Sequence, residues 1–427
     1  MRRLTDDQVD SIARELAGRL AGSQAGFEKT GMDPRALLCA AAGTAPPGTP
    51  AGGYVAATIG TRPMVAKSGD GVFATVDECV TAATIAYRHL SEATLVKRNE
   101  IIFSIRESMM KHGDELAQLA LDETGLGRLE HKKIKNRLVT EKTPGPESLR
   151  PETTTGDHGL TLMEWAPFGV IGSIAPTTNP TSTIICNTIG MVSAGNSVVF
   201  NVHPGAAQCS MATIRLLNKA IVAAGGPQNL VTAVGRPTIE SAGELMHHPG
   251  INLLVVTGGP GVVAAAMKSG KRSISAGPGN PPVVVDETAD IKKAARDIVY
   301  GAGFDNNIIC VDEKEVFVVE SVADALIAAM RKEGAYLADQ AEMRRLEKEI
   351  FLENHGPRAH GVINKELVGK DAGWILERIG VNRMPDAKLI IAEVAEDHPL
   401  VWTEQLMPVL PIVRVPDVDR GIALARE

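Results

Sequence analysis

Aromatic residues are scarce, at 4% of the 427 positions, and positive charge is not in excess: the formal net charge is −7. An acidic balance leaves no basic field for nucleic acid. The five cysteines, Cys39, Cys79, Cys186, Cys209 and Cys310, are odd in number and widely spaced, with no C-x-x-C pair. That pattern argues against a disulfide framework and against a zinc site, so no metal is expected and a reducing compartment is the default. No apolar run reaches the ~18 residues that suggest a membrane span, and the N-terminus lacks the continuous apolar stretch of a secretory signal. No G-x-G-x-x-G stands where a dinucleotide fold would place it, and no internal repeat is visible. What is abundant is glycine, at 42 residues, within 44% hydrophobic content. This composition fits an alanine- and valine-rich α/β protein with many tight turns, and the length predicts two or three domains at ~150 residues each.

The first sixty residues stand apart. Leu4 to Gly22 reads as one short amphipathic helix. Thr5 and Gln8 form a capping box, and Leu4 and Val9 a hydrophobic staple. Val9, Ile12, Ala13, Leu16 and Leu20 share one face. Ser23 to about Gly60, with Ala45-Pro46-Pro47-Gly48, reads as a flexible tether. A helix this short is marginal alone and seeks a partner surface. Two readings stand: it folds back on its own enzyme, or it docks to another protein. The expected division is a docking helix over residues 1–22, a linker over 23–64, a nucleotide-binding domain over 65–286 and a catalytic domain over 287–427.

The main body begins with helices, expected over Val76–Ala86 and Leu95–Glu123. Short β-branched runs then alternate with helical ones: Gly169–Ile174, Ser197–Phe200, Leu230–Val234, Ile251–Val256 and Pro282–Val285. Strands at Val316–Val319 and Lys388–Ala392, with a helix over Ser321–Glu333, continue the pattern. Near-continuous apolar strands joined by helical crossovers predict parallel sheets covered on both faces. Ligands in such folds sit at the carboxyl ends of the strands.

Several segments occupy those ends. Ala175-Pro176-Thr177-Thr178-Asn179-Pro180-Thr181 is a polar turn opening a helix; Asn179 could offer its amide to an oxyanion or simply cap the helix. Thr257-Gly258-Gly259-Pro260-Gly261 opens another helix, where backbone N–H groups and the helix dipole suit a pyrophosphate; a plain structural turn is the alternative. Ser275-Ala276-Gly277-Pro278-Gly279-Asn280-Pro281 offers a floor of small residues or an ordinary loop. Cys310 follows the polar step Asp305-Asn306-Asn307, although a lone cysteine in an apolar stretch is commonly core. Cys186, in an apolar helix, is expected to be packing.

Taken together and in this order, these elements resemble the aldehyde dehydrogenase superfamily from about residue 65 to the end. The resemblance implies two Rossmann-like α/β domains with largely parallel sheets. It makes Cys310 the nucleophile, with Asn179 and the Cys310 N–H as oxyanion donors. It lines the cofactor cleft with Pro176, Thr177, His203, Pro204, Gly205, Thr257, Gly258, Gly259 and Gly277. Within Trp402-Thr403-Glu404-Gln405, Glu404 would hold the nicotinamide ribose. The glutamate that activates water in most hydrolytic members is replaced by Ser275, which cannot act as a base at neutral pH. The thiolate of coenzyme A is then the expected acceptor. Asn179-Pro180-Thr181 and Phe200-Asn201-Val202-His203-Pro204-Gly205 look like the acylating propionaldehyde and acetaldehyde dehydrogenases of bacterial microcompartments. The lysine and glutamate that usually hold the adenosine ribose are absent, with Asn201 and Pro204 near their places, so NAD or NADP is left open.

The expected function is therefore oxidation of a short aldehyde with NAD and coenzyme A. The expected thiol is one whose pKa backbone dipoles lower. A hydrolytic enzyme, or a cargo or scaffold protein with a vestigial site, is the alternative. Expected partners are a microcompartment shell protein, through the N-terminal helix, and further copies of the chain in a dimer or tetramer; the expected location is the cytoplasm, inside a microcompartment. The chain stops at Ala425-Arg426-Glu427 in what reads as the start of a helix, where members of that family normally continue.

Overall fold

The computed structural model describes residues 70–427. The helix expected over residues 4–22 and the linker over 23–64 lie outside the described residues. The strands are β1 (Val72–Phe73), β2 (Glu152–Gly156), β3 (Gly159–Met163), β4 (Val170–Ala175), β5 (Ser197–Val202), β6 (Val231–Val234), β7 (Leu253–Thr257) and β8 (Ser273–Ala276). They continue with β9 (Pro282–Val285), β10 (Glu315–Val319), β11 (Ala335–Leu337), β12 (Phe351–Glu353), β13 (Val362–Ile363), β14 (Leu389–Glu393) and β15 (Val409–Val415).

Two parallel sheets carry the fold. The first has the order β1-β6-β5-β4-β7-β8 and the second β11-β14-β15-β10-β9. Two antiparallel pairs, β2-β3 and β12-β13, stand beside them. Side chains of the first sheet alternate between two cores. Ile171, Val198, Phe200 and Leu253 pack under the helices Leu95–Thr124, Pro180–Ser193 and Ala207–Ala223. Val170, Val199, Leu254 and Val256 pack under the helices Val76–Ser91, Ile239–His247 and Pro260–Lys268. A period of two with both faces apolar is the signature of a covered parallel sheet.

Three elements differ from expectation. Pro282–Val285 pairs with β10 and so belongs to the second sheet, not the first. Ser273–Ala276, whose Ser275 and Ala276 were read as the start of a small-residue floor or loop, is the edge strand β8: its backbone pairs with β7, which its small side chains do not prevent. The β2-β3 hairpin was not anticipated. All ten of its residues are exposed, including Leu160, Leu162 and Met163. Without a buried face it leaves no alternating pattern to read.

The order of the first sheet reverses about β4: the chain runs outward through β5 and β6, then returns to β7 on the other side. A topological switch point opens a crevice at the carboxyl edge. The turns after β4, β5, β7 and β8 all emerge on that edge.

Candidate active site

On that edge the turn after β4 brings Pro176, Thr177 and Asn179. The turn after β5 brings His203, Pro204 and Gly205, that after β7 brings Thr257, Gly258 and Gly259, and that after β8 brings Gly277. The first two turns meet: a Cβ added at Gly205 would lie 3.8 Å from Thr177 Oγ1. His203 accepts the Gly205 N–H through Nδ1 at 3.0 Å, so one ring nitrogen shapes its own turn. Asn201, near the place where the family holds the adenosine ribose, is already engaged. It accepts from Ser241 Oγ at 2.6 Å and donates to Thr238 O at 3.4 Å.

The glycine turn after β7 divides its labour in a way the sequence did not reveal. Gly258 N–H is not free for a ligand: it donates to Ala276 O at 3.1 Å and extends the β7-β8 ladder. A Cβ at Gly258 would also press Val262 Cγ1 at 2.7 Å. Gly259 and Gly261 instead face open space, with nothing within 4 Å of an added Cβ. They begin the helix Pro260–Lys268, which has no side-chain cap. An uncapped first turn beside open space suits the diphosphate of a dinucleotide.

Cys310 sits where three segments converge. Gly279 backs it: a Cβ there would overlap the Cys310 carbonyl oxygen, so only glycine fits. Gly277, singled out from the sequence, is under no such constraint, its added Cβ being 3.8 Å from Val263 Cγ2. Gly279 N–H donates to Glu404 Oε1 at 3.2 Å, which ties the Glu404 segment to the backbone that backs Cys310. Asn280 Nδ2 donates to Val401 O at 2.8 Å, and Lys314 N–H donates to Pro281 O at 2.9 Å.

The turn before Cys310 is held unusually firmly. Asp305, Asn306 and Asn307 are consecutive left-handed residues, with φ of 46°, 57° and 61°. Asx residues tolerate that region better than other side chains do. Fully buried Lys314 spends its three donors on this turn, bonding Asn307 O at 2.8 Å, Ile309 O at 3.1 Å and, closely, Asn307 Oδ1. Asn306 Nδ2 donates to Gly369 O at 2.8 Å, and Asn307 Nδ2 to Ala302 O at 2.9 Å. A turn this constrained holds the thiol to one position.

Asn179 is not a helix cap. It occupies the N-cap position of the helix Pro180–Ser193, yet its side chain makes no capping bond. Its Oδ1 accepts from Lys135 Nζ at 2.6 Å, and its Nδ2 touches Thr178 Oγ1 at 3.1 Å. Lys135 also pairs with Asp305, so the amide and the turn that carries Cys310 share one cation.

The thiol is electrostatically held back, contrary to the lowered pKa expected from backbone dipoles. Burial pushes the Cys310 thiol up, and the Glu404 carboxylate pushes it further; Lys314 pulls it down. The Glu404 carboxyl is itself pushed up by burial, against the Gly279 N–H and Lys314. Cys79 and Cys209 are buried as well, the first pushed up to about 12 and the second upward by burial and then Glu123. Cys186 is half-buried and accepts from Thr143 Oγ1 at 3.5 Å.

A raised thiol pKa lowers the thiolate fraction at neutral pH. Alkylation of Cys310 by iodoacetamide in the free enzyme should therefore rise about tenfold per pH unit through pH 7–9. Glu404→Gln removes a like charge, lowers the thiol pKa and should speed that alkylation by roughly 3–10-fold at pH 8, where the carboxylate is ionised. Mass spectrometry of the Cys310 peptide reads the rate. An unchanged or slower rate in the variant would refute the coupling of the two groups.

Lys132, Lys135, Asp305, Lys314 and Gly279 did not emerge from the sequence as site residues. In the helix Leu129–Lys142 the buried positions are Lys132, Lys135, Asn136 and Thr140, while apolar Ile134 and Leu138 are exposed. The amphipathic rule points the wrong way there. The one available signal was two lysines at i, i+3, Lys132 and Lys135.

Residues 58–352 match the model of the aldehyde dehydrogenase family. The acetylating acetaldehyde dehydrogenase of Salmonella typhimurium is 50% identical over 356 residues, covering 83% of this chain and 76% of that protein. The structure of Rhodopseudomonas palustris propionaldehyde dehydrogenase with bound CoA and an acylated cysteine superposes with a TM-score of 0.79 at 47% identity. That match covers 83% of this chain and 80% of the other. A propionaldehyde dehydrogenase from the fucose utilisation microcompartment of Clostridium phytofermentans gives 0.79 at 45% identity, with 83% and 80% covered. The fold, the order of the motifs and these matches agree: the chain belongs to the aldehyde dehydrogenase family.

Proposed function

We infer that the chain is an NAD-linked, CoA-acylating aldehyde dehydrogenase. It oxidises a short aliphatic aldehyde, propionaldehyde or acetaldehyde, to the acyl-CoA through a thioester on Cys310. The observation that carries this reading is Ser275. It stands on β8 where a hydrolytic relative would carry a water-activating carboxylate, and its Oγ is buried without a hydrogen-bond partner. A hydroxyl cannot serve as that base. With water unassisted, a thiol acceptor is favoured, and it keeps the acyl group activated as a thioester. The relatives named above as acetylating, and as binding CoA beside an acylated cysteine, support the same reading.

The residues then divide the work. The Cys310 thiolate attacks the carbonyl carbon to give a thiohemiacetal. Asn179 Nδ2 and the Cys310 N–H stabilise its oxyanion. NAD, when bound, supplies the hydride acceptor; Gly259 and the first turn of the helix Pro260–Lys268 would hold its diphosphate, and Glu404 its nicotinamide ribose. Pro176, Thr177, His203, Pro204, Gly205, Thr257, Gly258 and Gly277 are proposed to line the same cleft. Loss of the hydride leaves the acyl group on Cys310 as a thioester, and the CoA sulfur displaces it to restore the thiol. Residues 65–286 are proposed as the NAD- and CoA-binding domain, apart from the strand Pro282–Val285 that pairs in the second sheet, and 287–427 as the catalytic domain.

Residues 1–22 are proposed to dock to a microcompartment shell protein, which places the enzyme in the cytoplasm inside that compartment. The microcompartment source of one structural relative supports this. A homo-oligomer is proposed as well; exposed Leu160, Leu162, Met163 and Trp165 offer an apolar surface for it. Among the described residues no helix is long and apolar enough to cross a membrane.

The test is direct trapping. Enzyme mixed with propionaldehyde and NAD without CoA should accumulate one propanoyl group on the Cys310 peptide. Addition of CoA should clear it as propanoyl-CoA. Clearance at the same rate without CoA, with free propanoate as product, would defeat the reading.

A further inference from the structure

We propose that Lys135 is a positioning residue for the reaction: it fixes the amide of Asn179 so that Nδ2 faces the developing oxyanion, and through Asp305 it locks that donor to the turn bearing Cys310. The proposal rests on the acylating-dehydrogenase reading above and deepens it.

An amide can present either end to a site, and only the nitrogen end stabilises an oxyanion. An ammonium group donates and never accepts. Lys135 Nζ lies 2.6 Å from the Asn179 side-chain oxygen, so that end is committed to the cation. Nδ2 then keeps two hydrogens, one directed at Thr178 Oγ1 and one available for a ligand. Asn179 makes no helix-capping bond that would hold it otherwise.

The cation is itself anchored. Asp305 is fully buried and pairs with Lys135, with Lys132 at 3.4 Å, and with the Arg128 N–H at 2.6 Å. Its own backbone N–H donates to His131 Nδ1 at 2.7 Å. A second tie fixes the helix of Lys135 against the helix that follows Asn179: Thr181 Oγ1 donates to Asn136 Oδ1 at 2.9 Å. Two lysines face this aspartate, and Asp312 adds a further negative charge toward Lys135. Burial draws Lys135 down to about 8 while Asp305 pushes it back up, so the ammonium form still dominates at pH 7. In a water-poor site, a fixed charge and a fixed donor are worth more than they would be in solvent.

The experiment compares Lys135→Met, Lys135→Arg, Lys132→Met, Asn179→Ala and the Lys135→Met/Asn179→Ala double variant in the full chain, using propionaldehyde, NAD and CoA. Lys135→Met should lower kcat/KM for aldehyde by about 10²–10³-fold, the effect of losing one oxyanion donor. NAD affinity and the rate of Cys310 alkylation should stay within about threefold, a pattern that general loosening of the loop would not produce. The double variant should be no worse than Asn179→Ala alone, because the two residues act as one unit. Lys135→Arg should recover most of the rate. Lys132→Met, which shares Asp305 without reaching Asn179, should lose less than Lys135→Met. If Lys135→Met fails to fold, Lys135→Gln takes its place, alone and in the Asn179→Ala background, where it should add no further loss.

Multiplicative losses in the double variant, or in that background, would overturn the proposal. So would near-normal turnover of Lys135→Met, or an equal loss in Lys132→Met. Wild-type enzyme assayed alongside separates this from failure of the underlying reading, which would show as indifference of the wild type to CoA whatever the lysine variants do.

Discussion

Cys310→Ala lowers CoA-dependent NADH formation at least ~10⁴-fold and leaves NAD binding intact. Among the described residues, the thiol is the only group at the convergence of the Gly279 floor, the Glu404 segment and the left-handed turn that can form a thioester. Cys79 and Cys209, the fully buried cysteines among the described residues, cannot substitute, because burial holds both thiols far up. Serine in place of Cys310 should rescue little, since an oxygen ester is a poorer acyl donor to CoA than a thioester. NADH fluorescence measures turnover, and quenching by NAD titration checks binding. A variant that retains a tenth of the wild-type rate would remove Cys310 from the reaction.

Asp305→Ala should cost about 3–5 kcal/mol of stability as well as most of the activity. The carboxylate is the shared partner of two buried lysines, Lys132 and Lys135, and it accepts the Arg128 N–H at 2.6 Å. Alanine would leave both ammonium groups buried without it, in a turn where φ is 46°. A non-Asx side chain adds strain of about 1 kcal/mol in that region. Packing around the carboxylate is tight enough that a Cβ at Gly127 would overlap it, so no larger group can compensate. Asp305→Asn keeps the left-handed preference and an acceptor for Arg128, and should be the milder change. Urea unfolding followed by circular dichroism reads the difference. A loss below about 1 kcal/mol for the alanine variant would show that the two lysines find other partners.

The sheets were legible because their strands are apolar on both faces and bounded by turns. β4 and β5 were anticipated to within two residues, and the β6 and β7 runs were located. The edge strand β8 was not, because Ser273-Ile274-Ser275-Ala276 reads like the small-residue loop that follows it. Cys310, Asn179 and Glu404 were proposed through the order of their motifs. Their support was not legible. Lys132 and Lys135 are buried on a helix whose Ile134 and Leu138 point outward, and Asp305 meets them across some 170 positions of sequence. Burial of charge of this kind is decided by tertiary pairing, which leaves no local period. Gly279 was hidden differently: its requirement comes from the Cys310 carbonyl, which only the folded chain brings near. Burial, and then the Glu404 carboxylate, push the Cys310 thiol up against the lowering expected from the turn.

The most direct test of the central claim is NADH formation from propionaldehyde and NAD, with and without CoA, with thioester product followed in the same sample. NADH and propanoyl-CoA should appear together in equal amounts, and without CoA the reaction should stop after a single turnover of Cys310. NADH continuing at the same rate without CoA, with propanoate accumulating, would contradict the account. It would mean that water is activated despite Ser275, and Glu404, half-buried and acting on the thiol, would become the candidate base.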